Sequence, residues 1–316
     1  MIVARGLANY QSRSYPVLTI GNFDGLHRGH VALLKQVVAT AGEQGGTPTV
    51  LTFDPHPVTV LSPGTPLRLL TDPDDKLARF EAIGIQQVVL LAFDKSFAAL
   101  TPEEFVFKIL RDALGIRELY VGEHFAFGAK RAGRLADLLA LSARAGFRVN
   151  PVLPFFVEGA IVSSTRIRSL VQAGNVAEAA RVLGRHYQLR GMVVRGEGRG
   201  QELGWPTANL RLPADRAVPA DGVYAAFTDW KGVEYKSVAY IGTRPTFGPG
   251  ERLLEVSLLD DNLSLYGETI AVRFVDRVRD DAVFRTPEEL SARIDLDVVH
   301  ARASLANAMM TFGESG

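Results

Sequence analysis

His27 and His30 close the string Gly21-Asn22-Phe23-Asp24-Gly25-Leu26-His27-Arg28-Gly29-His30, which lies between the strand-like run Val17–Ile20 and the helix-like segment Val31–Thr40. Three residues apart in a first helical turn, the two imidazoles share a face. Glycines let a backbone approach a ligand closely, and a helix N-terminus offers free N–H groups and a positive dipole. Such a site suits a triphosphate whose charge builds up during transfer. A loop after the first strand of a parallel sheet is also where such folds hold ligands. A second stretch, Gly191-Met192-Val193-Val194-Arg195-Gly196-Glu197-Gly198-Arg199-Gly200, is followed by Leu203-Gly204-Trp205-Pro206-Thr207-Ala208-Asn209-Leu210. Its glycines can cradle phosphates with backbone N–H groups or form a flexible hairpin loop, and the residues alone leave both readings open.

These motifs need elements to hold them. The first half of the chain alternates short apolar runs (Val17–Ile20, Thr49–Phe53, Val88–Phe93, Leu119–Val121, Phe147–Val149) with helix-like segments (Val31–Thr40, Asp74–Ile83, Thr101–Leu114, Arg134–Ala145). That alternation predicts a doubly wound α/β domain with a parallel sheet. Thr101-Pro102-Glu103-Glu104 reads as an N-cap, a proline at the first helical position and a capping-box glutamate, with Gly115 as the stop. After Ser163 a longer helical stretch breaks at Gly174-Asn175 and ends near Gly184. The strand-like runs Gln188–Val194, Gly222–Thr228, Val233–Ile241, Leu253–Leu259 and Thr269–Val278 then predict a small antiparallel barrel or sandwich. A helix over Pro287–Met309, capped by Thr286, closes the chain. The change of texture puts a domain boundary near Gly184–His186, giving domains 1–185 and 186–316.

Composition excludes several classes. Lys+Arg and Asp+Glu are each 35 in 316 residues, a net charge of zero, which argues against a nucleic-acid partner. There is no cysteine, so disulfides, Cys-ligated zinc, iron–sulfur clusters and thiol nucleophiles are all excluded. The longest apolar run, Val88–Phe93, is far short of the roughly 18 residues that span a bilayer. With no apolar leader visible, the expectation is a cytoplasmic protein with no membrane association and no obligatory protein partner. Neither G-x-x-x-x-G-K-[ST] nor G-x-G-x-x-G occurs.

The first string resembles the HxGH signature of the class I nucleotidyltransferases. With Phe23-Asp24-Gly25 ahead of it, it resembles the adenylyltransferase domain of the bacterial bifunctional riboflavin kinase/FAD synthetase family. Thr52-Phe53-Asp54-Pro55-His56-Pro57, Val121-Gly122-Glu123-His124-Phe125-Ala126-Phe127-Gly128 and Ser163-Ser164-Thr165-Arg166-Ile167-Arg168 extend the likeness. Pro206-Thr207-Ala208-Asn209 resembles the PTAN motif of the riboflavin kinase fold, and Arg244-Pro245-Thr246-Phe247 that family's RPTF turn. The resemblance spans the whole chain, with the motifs in the family's order. It implies a Rossmann-like nucleotidyltransferase domain followed by a β-barrel kinase domain with a terminal helix.

The implied activity is twofold. Riboflavin is phosphorylated by ATP with Mg²⁺ to give FMN, and FMN is adenylylated by a second ATP to give FAD and pyrophosphate. By resemblance, Glu255 is the base of the kinase step, while His27 and His30 act on the phosphates of the second. Gly21, Phe23, Asp24, Gly25, Ser164, Thr165 and Arg168 hold nucleotide in the first domain; Gly196, Arg199, Gly200, Thr207 and Asn209 do so in the second. Thr207 and Asn209 also hold the metal, in keeping with magnesium's preference for hard oxygen ligands. Asn22, His124 and Phe125 are the flavin-binding set. The chain departs from the family at His124, commonly Asp or Asn, at Ser257, often His, at Asp260-Asp261-Asn262, more often aromatic, and at Trp205, usually Phe. Two other readings are one live activity on an inert second domain, and a flavin-binding protein without turnover. A nucleotidyltransferase for a pantetheine or nicotinamide mononucleotide acceptor would have no need of the second domain.

Overall fold

The computed structural model describes residues 1–195, 205–243, 252–261 and 263–312. Residue contacts divide the chain into two compact units, Met1–Leu67 with Thr71–Ser163, and Arg68–Leu70 with Ser164–Gly316.

The first unit holds β1 (Ile2–Arg5), β2 (Pro16–Ile20), β3 (Thr47–Phe53), β4 (Gln87–Leu91), β5 (Glu118–Gly122) and β6 (Arg148–Val152). Its helices are α1 (Arg28–Glu43), α2 (Pro57–Leu61), α3 (Pro73–Ile83), α4 (Lys95–Ala98), α5 (Pro102–Glu104) and α6 (Leu135–Ala145). All six strands run parallel in the order β1-β4-β3-β2-β5-β6. Val17, Val50 and Val88 face a core closed by Leu34 and Val37 of α1 and Phe80 of α3. Their chain neighbours Leu18, Leu51 and Val89 face the opposite core, closed by Val106, Ile109, Leu110 and Leu138. Both faces are therefore covered, as the unbroken apolar runs predict. The expected helix over Thr101–Leu114 continues from α5 as wider π-helical turns over Phe105–Ala113. The sequence reading missed β1, a four-residue edge strand that gains its order by pairing with β4. It also missed the short hairpin of β7 (Phe156–Val157) and β8 (Ala160–Ile161).

The second unit opens with α7 (Ser164–Gln172) and α8 (Val176–Leu183), separated at Gly174, whose φ of 80° suits glycine. A Cβ there would also lie 2.8 Å from the Tyr224 hydroxyl. Strands β9 (Tyr187–Val194), β10 (Ala208–Arg211), β11 (Gly222–Trp230), β12 (Val233–Thr243), β13 (Arg252–Leu258) and β14 (Thr269–Asp280) close an antiparallel barrel in the order β10-β13-β12-β11-β14-β9. The strand-like runs foresaw five of these six. The sixth, β10, pairs with both β9 and β13 and so decides barrel over sandwich. Four residues that include an asparagine carry little strand signal of their own. The contact division falls at Ser163/Ser164, ahead of the change of texture near Gly184, because α8 packs against β9 and β14.

The terminal helix, α9 (Pro287–Phe312), is capped as expected: the Thr286 hydroxyl accepts the Glu289 amide at 3.2 Å. Ala301 and Leu305 are fully buried against Ala225, Phe227 and Val275. The Arg279 guanidinium on β14 meets the buried Asp297 carboxylate at 2.8 Å, and Arg293 approaches the same group at 3.2 Å. Removing one partner of a buried pair leaves an uncompensated charge, so Asp297→Ala should lower stability by about 3 kcal/mol in urea unfolding.

The capping box at Thr101 forms in full, with Glu104 N–H to Thr101 Oγ1 at 3.1 Å and Thr101 N–H to Glu104 Oε2 at 2.9 Å. The amide hydrogen bond from Thr101, helped by Lys108, holds the Glu104 carboxyl at about 2. A folded-state value below the unfolded one gives stability that is present above about pH 4.5 and lost as the pH falls towards 2. In Glu104→Gln the unfolding midpoint should depend less on pH across that window.

Candidate functional sites

In the sheet of the first unit, β2 is followed by β3 on one side and flanked by β5 on the other. Between β2 and β5 the strand order reverses, and open α/β sheets bind ligands beyond the strand ends at such a point. The loop after β2 carries Gly21 to His27, and the loop after β5 carries His124 and Phe125.

Local chemistry fixes the first loop tightly. Phe23 and Leu26 have φ of 51° and 41° and are buried, so apolar burial holds two side chains in left-handed turns. Asp24 is 5% exposed and accepts the Thr71 amide at 3.1 Å, while the Gly25 amide donates to Thr71 Oγ1 at 2.8 Å. A Cβ on Gly21 would crowd the Phe23 ring at 3.1 Å. The carbonyl of Asn22 accepts from Thr52 Oγ1 and Lys76 Nζ, each at 3.5 Å. Thr71 and Lys76 carry no motif, so the sequence offered no signal for them.

His27 is the N-cap of α1, and its Nδ1 accepts the His30 amide at 3.2 Å. That acceptor role puts the neutral ring's proton on Nε2. The two imidazoles stack with centroids 3.6 Å apart and planes 14° from parallel, and Phe23 packs edge-on against His30 at 5.1 Å. The shared face expected from their spacing is thus present. The first turn of α1 holds no acidic residue.

His124 is exposed, and Phe125 is half-buried. Phe125 stacks on Phe127 at 5.6 Å, and Phe127, Phe105, Phe97 and Phe53 continue an aromatic band at the carboxyl ends of β3 and β5. Ser164, Thr165 and Arg168 lie in the first turns of α7, within the second unit. Arg166 of the same helix pairs with Glu178 at 3.2 Å.

In the barrel, register brings the second set together. Asn209 of β10 lies opposite Glu255 of β13, and Glu255 lies opposite Tyr240 of β12. Directly paired residues of antiparallel strands project from the same face. Asn209 and Glu255 are each 7% exposed. A cavity of about 360 Å³ is lined by Glu255, Ser257 and Leu259, with Trp205, Phe284 and Ile294 among its other walls. A second cavity, of about 420 Å³, takes in Arg195, Asn209, Asp261 and Tyr266. Thr207 lines both. Gly196, Arg199, Gly200 and the Arg244-Pro245-Thr246-Phe247 turn lie outside the described residues. Among the described residues no cluster of three or more His, Asp or Glu side chains could hold a metal. Sequence reasoning missed Tyr240, Phe284 and the α9 wall. Leu290, Ile294 and Val298 have the spacing of one helix face, but nothing in that spacing names what the face covers.

Comparison with known proteins bears on the whole chain. The family model described as FAD synthetase matches residues 10–166, and the one described as riboflavin kinase matches residues 183–305. A bifunctional riboflavin kinase/FMN adenylyltransferase of Pseudomonas fluorescens is 38% identical over 309 residues, covering 97% of this chain and 98% of that protein. Its counterpart from Escherichia coli K12 is 36% identical and covers 96% of this chain and 97% of that protein. A solved structure from Streptococcus pneumoniae, described as a macrolide-efflux protein, superposes with a TM-score of 0.89 at 32% identity, covering 96% of this chain and 99% of that one. Among the described residues no helix is long and apolar enough to cross a membrane. Two family models in succession, and relatives matched almost end to end, place the chain in the family of bifunctional riboflavin kinase/FMN adenylyltransferases.

Proposed function

We propose that the second domain, residues 186–316, transfers the γ-phosphoryl group of ATP to the 5′-hydroxyl of riboflavin, and that the first, residues 1–185, joins the resulting FMN to AMP from a second ATP. The observation that carries this reading is the meeting of two cavities at Thr207, one of them holding the buried Glu255. The largely apolar cavity suits a tricyclic flavin, and the more polar one suits a nucleotide.

In the kinase step Glu255 takes the proton of the 5′-hydroxyl as that oxygen attacks the γ-phosphorus, and ADP departs. Asn209 presents an amide oxygen on the side of the sheet that carries Glu255, and Thr207, which lines the same cavity as Glu255, a hydroxyl, a donor set that fits Mg²⁺ completed by phosphate oxygens and water. The bound ion would neutralise phosphate charge. Gly196, Arg199 and Gly200 cover the phosphates in this reading.

In the second step an oxygen of the FMN phosphate attacks the α-phosphorus of ATP, and pyrophosphate leaves. The nucleophile is already ionised near pH 7, so that site needs positioning and charge stabilisation rather than a base. His27 through Nε2–H, His30 and the N-terminus of α1 supply the stabilisation. Gly21, Phe23, Asp24 and Gly25 shape the loop. Asn22, His124 and Phe125 receive the flavin, with the aromatic band behind Phe125 as an apolar backing. Both steps use soluble substrates, which suits a cytoplasmic enzyme.

Purified protein given riboflavin, ATP and Mg²⁺ should yield FMN first and FAD second when the flavins are separated over time. Glu255→Gln should slow FMN formation by about 10²-fold or more and still convert added FMN to FAD. His27→Ser keeps a side chain that can cap α1, so it should fold normally and phosphorylate riboflavin while losing most FAD formation. Loss of both conversions in either variant would contradict the separation of the sites, and flavin binding without turnover in the wild type would make the protein a flavin binder.

A further inference from the structure

Ser257 lies two residues beyond Glu255 on β13 and is 8% exposed. Its hydroxyl has no hydrogen-bond partner among the described residues. Buried hydroxyls elsewhere in this barrel are satisfied: Thr228 and Ser237 bond each other at 2.8 Å, and Ser237 also donates to the Ala226 carbonyl at 2.9 Å. A buried polar group left unpaired is costly, so one facing a cavity points to a ligand that completes it.

Ser257 faces such a cavity. Glu255, Ser257 and Leu259 line the 360 Å³ space together, as residues two apart on one strand face do. Two polar pairs in the wall of this cavity are engaged with each other: Arg279 with Asp297 at 2.8 Å, and the Tyr240 hydroxyl with Asp281 at 3.1 Å. Across the strand pair Ser257 faces Val238, and the α9 wall offers Leu290, Ile294 and Val298. On the β10 side Thr207, next to Ala208, which pairs with Val256, lines the same cavity.

Two residues of strand span about 7 Å. With the 5′-oxygen of riboflavin at Glu255, an extended ribityl chain reaches its ring nitrogen over a similar distance, six bonds of about 1.5 Å each in zigzag. Ser257 is therefore level with the inner end of the ribityl chain, where the 2′-hydroxyl branches, and Leu259 lies beyond it on the ring side. We propose that Ser257 is a substrate-recognition residue of the kinase cavity, its hydroxyl pairing with the 2′-hydroxyl of the ribityl chain. This inference rests on the reading that the cavity holds the flavin. It makes the site selective for a hydroxylated side chain, because a flavin lacking that hydroxyl leaves Ser257 unpaired.

The test uses the full chain with riboflavin and 2′-deoxyriboflavin, without ATP or metal. Binding is read from the fluorescence of the flavin and of Trp205, a wall of the same cavity. Ser257→Ala should weaken riboflavin binding about 5- to 10-fold, the loss expected for one hydrogen bond, and raise KM with little change in kcat. It should bind 2′-deoxyriboflavin as the wild type does, and Ser257→Thr should restore preference for riboflavin. An equal effect on the two flavins, or no effect on either, overturns the role of Ser257 while leaving the cavity reading intact. If wild-type Trp205 does not respond to riboflavin, or Glu255→Gln phosphorylates at the wild-type rate, the cavity reading itself fails and this inference with it.

Discussion

Side chains alternate between the two faces of a β-strand, and both candidate sites depend on that constraint. In the first unit the alternation sends Val17 and Leu18, or Val50 and Leu51, into opposite cores. The sheet is covered on both faces, and the residues of the first candidate site collect beyond the strand ends. The loop after β2 is one such end. Its left-handed turns at Phe23 and Leu26 hold because both side chains are buried, and the loop in turn delivers His27 to the first position of α1.

In the barrel the same alternation puts Glu255 and Ser257 on one face of β13, along one cavity. Cross-strand register then aligns Asn209, Glu255 and Tyr240 in a row. The strand that closes the barrel therefore also carries Asn209, opposite Glu255. The buried Arg279–Asp297 pair ties α9 to β14 and so fixes the far wall of the apolar cavity. A weakly held wall would leave that cavity open to water.

The two candidate sites offer different groups. The first holds imidazoles at a helix N-terminus, which on the proposed reading suits a nucleophile already carrying charge. The second pairs a carboxylate with neutral oxygens, which on that reading suits a hydroxyl that must lose a proton. Each set would then match the state of the attacking oxygen at neutral pH.

The residues alone determined the helix caps at Thr101 and Thr286, the parallel character of the first sheet and most strands of the barrel, because caps and apolar periodicity act over a few neighbouring residues. The ordered motifs determined the family. Tertiary structure decided what depends on partners distant in the chain: β1 and β10 as strands, barrel over sandwich, Thr71 as the partner of Asp24, and the α9 wall. Ser257 marks that limit most clearly. Its sequence neighbourhood reads as ordinary alternation, and only the packing around it shows a buried hydroxyl facing a cavity. Burial and pairing are set by residues far away in sequence, so no local pattern encodes them.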